Sequence, residues 1–84
     1  MKVETDDTKF TWGEPVYVKQ NAPLVFHPGE FASICGIDKI LSQKEAGELF
    51  CKNQEWIYLV EFEDGSSMEI PECYLEKDLD NFNT

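Results

Sequence analysis

The stretch "WIYLVEFEDGSSMEI", Trp56 to Ile70, constrains this chain more than any other. Side chains alternate across a strand, so Trp56, Tyr58, Val60 and Phe62 share one face. Ile57, Leu59, Glu61 and Glu63 share the other. The first set is large, apolar and unbroken, which points it into a core. Asp64-Gly65 is a strong hairpin signal, because this pair suits the positive φ values of a type I′ turn. On the return strand Met68 and Ile70 point inward, while Ser67 and Glu69 point outward. Pro71 then ends the ladder, having no N–H to donate.

The flanking segments supply partners for this hairpin. In "WGEPVYV" a turn at Gly13 and Pro15 leads into a strand in which Val16 and Val18 alternate with Tyr17 and Lys19. Two prolines and a glycine stiffen the loop Asn21 to Glu30, and Pro28-Gly29 reads as a type I or II turn. The next strand, "FASICGID", places Phe31, Cys35 and Ile37 on one face and Ala32, Ile34 and Gly36 on the other. Both faces are mostly apolar, as in a central strand, so Cys35 is expected in the core. Gly36 marks a bulge or a close approach of another backbone.

From Lys39 the period changes. Ser42 and Glu45 have capping-box spacing, and Leu41 and Ala46 occupy the positions of a hydrophobic staple. Ala46, Leu49 and Phe50 recur at helical spacing, which predicts a helix over 42–51 despite Gly47, a cost of up to ~1 kcal/mol. After the hairpin, "ECYLE" reads as a single turn and a short last strand, with Tyr74 and Leu75 packing back. The expectation is a mainly β domain over 10–77: a small closed barrel of four to five antiparallel strands, with one short helix between strands 2 and 3. Residues 1–9 read as a flexible polar arm. Residues 78–84 read as a polar tail in which Leu79 and Phe82 make late contacts.

Charge narrows the function. Among 84 residues, 17 acids face seven basic residues, all of them lysines, for a net charge of −10. Such a surface repels phosphate backbones, and arginine, the favoured reader of guanine edges, is absent. Nucleic acid is therefore not the expected partner. A basic protein is, because opposite potentials speed encounter. No apolar run approaches the ~20 residues of a membrane span. Acidic residues stand where a signal peptide needs an apolar stretch. Three cysteines without a CxxC suit reduced thiols, and the expected location is cytoplasmic.

Catalytic and metal chemistry find little support. His27 is the only histidine and sits in a loop beside Pro28. One histidine and three scattered cysteines lack the spacing of a zinc site. "EFEDGSSME" lacks the ligand order of a calcium loop. No enzyme activity and no cofactor is expected. The outward face of the hairpin is the candidate site. Ile57 and Leu59 run into Glu61 and Glu63, with Glu69 across from them, and Glu45, Glu48 and Asp38 could extend the acidic surface. If the helix covers Ile57 and Leu59, they form a second minor core. If it does not, an apolar patch with an acidic rim is exposed, as at interaction sites.

In "WGEPVYV", "PGEFASICGI", "YLVEFEDGSSMEIPE" and the closing "YLE", residues 10 to 77 resemble the SH3-like small barrels. The early ALYDY-like motif and the paired tryptophan of proline-peptide binders are absent, so that activity is not implied. Phe10, Gly13, Glu14, Val16 and Val18, with Gly29-Glu30 and the acidic hairpin running into "IPECYLE", also resemble small all-β immunity proteins of bacterial polymorphic-toxin systems. That resemblance implies a protein that neutralises a cognate toxin, often a basic nuclease. An SH3-like regulatory or assembly module docking an apolar patch is the alternative expectation.

Overall fold

The computed structural model describes residues 8–78. Five antiparallel strands form one sheet: β1 (Pro15–Val18), β2 (Phe31–Lys39), β3 (Trp56–Phe62), β4 (Ser67–Pro71) and β5 (Leu75–Lys77). Their order is β4-β3-β2-β1-β5, so the last strand returns to pair with the first. A single helix, α1 (Gln43–Glu48), lies between β2 and β3. The mainly β reading and the placement of the helix both hold.

The core follows the alternation of the strands. Val16, Val18, Ile34, Tyr58, Val60 and Ile70 are all but fully buried on one side of the sheet. Phe10, Ala22 and Phe26 close over them from the segments outside the strands. The β1–β2 loop contains a 3₁₀ turn at Leu24–Phe26. Glu30 N donates to the His27 carbonyl with Gly29 at φ 86, a type II turn at Pro28-Gly29 as expected.

Four local expectations are corrected. In β2 the register slips between Ile34 and Gly36, so Cys35 is the extra residue of a bulge. Parity reverses there. Ile37 pairs with Tyr58 and packs on the main core with Ala32 and Ile34, while Cys35 is exposed. Gly36 borders this bulge, the first of the two readings made for it, and a Cβ at that position would stand 3.0 Å from the side chain of Leu59.

The β3–β4 turn is not type I′, because Asp64 does not have positive φ. Gly65 N donates to the Phe62 carbonyl, Gly65 takes φ 91, and Phe62 N donates to the Ser66 carbonyl. This is a type I turn closed by a left-handed glycine, the three-residue hairpin. Asp64 accepts from the backbone N and Oγ of Ser66, and these bonds hold its carboxyl below the usual carboxylate range.

The helix is also shorter than 42–51. Ser42 caps it as expected, accepting from Glu45 N at 3.1 Å. It ends at Glu48 in a Schellman motif: Cys51 N donates to the Ala46 carbonyl and Phe50 N to the Gly47 carbonyl. Phe50, at φ 59, therefore leaves the helix and its apolar face, and it is exposed. The staple does not form, since Leu41 is 76% exposed.

Candidate protein-binding surface

The outward face of the sheet is laid out by register. Across β2, β3 and β4 the rows are Asp38, Ile57 and Pro71; Gly36, Leu59 and Glu69; then Ser33, Glu61 and Ser67. Glu69 thus lies directly across from Leu59, with Glu61 two residues along the same strand. Glu63 stands in the turn, where it shares a cleft of about 350 Å³ with His27, Glu30 and Asp64. The His27 ring meets Phe62 edge-on, with centroids 5.3 Å apart.

The helix divides the two apolar candidates between them. Ala46 packs with Ile40 on Ile57, which is 2% exposed and belongs to a second small core. Ile57 is corrected from a binding residue to a packing residue. It cannot touch a partner while α1 covers it. Leu59 lies beyond the helix and is 37% exposed, seated beside the side-chain-free Gly36. Glu48 is exposed and Glu45 half-buried on the helix that covers Ile57. The surface therefore keeps Leu59, Glu61, Glu63, Glu69, Glu45 and Glu48, and loses Ile57.

Two further groups were not assigned to a surface from sequence. Tyr17 and Phe31 oppose one another in the β1–β2 ladder, ring centroids 5.4 Å apart, and Glu76 faces Tyr17 from β5. They form a second outward apolar pair, separated from Leu59 by the row Ser33, Glu61 and Ser67. Alternation set Tyr17 apart from Val16 and Val18, but both faces of the next strand read as apolar, and only the pairing register puts Phe31 beside Tyr17. At one end of the molecule Leu24, Val25 and Phe50 are 87%, 55% and 56% exposed. Phe26, beneath them, touches Phe50 and Tyr74 at centroid distances of 6.3 and 5.6 Å. Two adjacent aliphatic residues in a proline-rich loop were the available signal.

Cys35 is on the β2 bulge, while Cys51 and Cys73 flank the loop after α1 and the turn before β5. Among the described residues, no group of three or more His, Cys, Asp or Glu side chains is placed to hold a metal ion. No described helix is long and apolar enough to cross a membrane.

The strand order, the long β1–β2 loop, and the 3₁₀ turn Glu72–Tyr74 before the closing strand define a small, mainly β domain: one five-stranded antiparallel sheet with an inserted helix. No protein-family model, curated protein or solved structure matches the chain.

Proposed function

We propose that this chain is a non-enzymatic acidic binding protein that docks on a basic protein partner and neutralises it, as an immunity or inhibitor protein does. The observation that carries this reading is the row Gly36, Leu59 and Glu69. It sets an exposed apolar residue beside acidic groups on an open sheet face, in a chain of net charge −10. Leu59 with Tyr17 and Phe31 supplies apolar contact, and Glu61, Glu63 and Glu69 supply the field that steers a cationic surface. A nuclease-type toxin would be blocked by acids occupying the cleft that otherwise holds phosphates. The partner is a protein, with no role for a nucleic acid, a membrane or a cofactor, and the site of action is the cytoplasm.

The test begins with the gene beside this one. If it encodes a large basic toxin, stopped-flow association with that toxin should slow by about tenfold or more between low and physiological salt. The triple variant Glu61→Lys, Glu63→Lys, Glu69→Lys should slow it comparably at low salt. An on-rate indifferent to both changes would sink the reading.

A second reading is favoured by one specific observation, the exposed Leu24, Val25 and Phe50. A regulatory or assembly module would dock through this apolar end, with charge serving solubility. In that case the triple charge reversal leaves binding intact, whereas Leu24→Asp abolishes it.

A further inference from the structure

The loop after α1 and the turn before β5 meet at one place. The Tyr74 hydroxyl donates to the Phe50 carbonyl, and it also shares a hydrogen bond with the Cys73 thiol. Phe50 immediately precedes Cys51. From the other side, Glu55 accepts from Cys73 N at 2.9 Å and bonds the Cys73 thiol as well. After burial, the same carboxylate pushes the Cys51 thiol up, and the charge of Cys51 adds to the raising of Cys73. Cys35, on the β2 bulge, takes part in none of this.

The segment carrying Cys51 is also under local strain. Phe50 and Gln54 both hold left-handed backbone, at φ 59 and 70. The Asn53 Oδ1 is buried with no hydrogen-bond partner. Such a loop opens and readjusts at low cost, as two approaching sulfurs require.

We propose that Cys51 and Cys73 form a reversible dithiol–disulfide pair that staples the loop after α1 to the turn before β5, with a glutathione-type disulfide as the oxidant. Cys73 is the more exposed, so its thiolate attacks first: its sulfur bonds to one glutathione sulfur and expels the other as a thiolate. The Cys51 thiolate then attacks the Cys73 sulfur and expels the second glutathione. Two protein thiols are oxidised, one glutathione disulfide is reduced to two thiols, and the two protons pass to the leaving groups. The link would pin Phe50 over Tyr74 at the apolar end of the molecule, and it stands independently of which partner the protein binds.

Glu55 sets the pace. Burial and then its carboxylate push both thiols up, Cys73 to about 11, so little of either is thiolate at neutral pH. Exchange should be slow at pH 7 and should quicken about tenfold per pH unit below the thiol pKa values.

The full chain, reduced and folded, is incubated with oxidised glutathione and followed by intact mass and peptide mapping. The expected product is about two mass units lighter, retains a free Cys35, and yields a cross-linked peptide joining Cys51 to Cys73. Cys35→Ser should react unchanged, while Cys51→Ser should stop at a glutathione adduct on Cys73. Glu55→Gln should quicken the reaction several-fold at pH 7, which a merely structural Glu55 would not do. Separate glutathione adducts on Cys51 and Cys73 of the unaltered chain, with no cross-linked peptide, would overturn the proposal without recourse to any variant.

Discussion

The hydroxyl of Tyr58 donates to the carboxylate of Glu72 at 2.5 Å, from a ring that has no exposed surface. The same hydroxyl oxygen accepts from Phe10 N at 3.4 Å, and Glu72 also accepts from Lys9 N at 2.9 Å. The Phe10 ring packs edge-on against Tyr58, centroids 5.3 Å apart. One phenol and one carboxylate therefore fasten three stretches distant in sequence: the segment entering β1, the middle of β3, and the turn before β5. This tie holds together the sheet on which the outward face is presented.

Tyr58→Phe should cost about 1–3 kcal/mol in urea unfolding, the range for losing a hydrogen bond to a charged group. The signature lies in the alkaline limb. Burial first, and then the Glu72 bond, raise the Tyr58 pKa above the usual phenol range. The folded state therefore holds this proton more tightly than the unfolded chain does. The resulting stability is complete below pH ~10 and is lost as pH rises through the folded value. Cys73, raised to about 11, adds to the same decline from pH ~9 upward. Tyr58→Phe should flatten the fall above pH ~10 while leaving the Cys73 contribution. An unchanged alkaline limb in the variant would remove Tyr58 from this account.

Gly36→Ala tests the seat of Leu59. The added methyl would sit 3.0 Å from Leu59 Cβ, across the β2–β3 ladder in which Gly36 and Leu59 are paired. A loss of about 1–3 kcal/mol is expected, as for overpacking. Adding Leu59→Gly should recover part of it, a coupling that a thermal-unfolding double-mutant cycle reads directly. Strict additivity of the two changes would mean that the close approach carries no energy.

Phe50→Gly separates strain from packing. Phe50 occupies the left-handed position after the helix that glycine favours, so glycine there should return about 1 kcal/mol. Losing its edge contact with Phe26 should cost about 0.5–1.5 kcal/mol. The two nearly cancel, so the unfolding midpoint should move little. A loss of about 3 kcal/mol or more would show instead that Phe50 is packed like a core aromatic. If the apolar end is the docking surface, the same variant should weaken partner binding while leaving stability in place.

Legibility followed the range of the interactions. The inward set Tyr58, Val60, Phe62 and Ile70, the Ser42 cap, the turn at Pro28-Gly29 and the closing "ECYLE" were readable because each depends on neighbours a few residues away. The candidate surface was readable only in part. Alternation correctly turned Glu61 and Glu69 outward, while Glu63 falls in the turn, and it gave Ile57 and Leu59 the same standing. What separates them is the reach of a six-residue helix, which ends before Leu49 and covers only the nearer residue. Cys35 was misplaced for a related reason: a bulge reverses the parity of every residue after it, and no periodicity marks the reversal.

From the sequence alone came the alternation that makes a core hairpin, the net charge of −10, and the glycine that marks a bulge or a close approach. These are properties of single side chains and of their spacing along one strand. The tertiary structure alone decided which residue approaches Gly36, which apolar residue the helix leaves uncovered, and that Tyr58 and Glu72 would share a proton's bond. Each of these depends on register between strands, and register is settled by the packing of the whole sheet against its core.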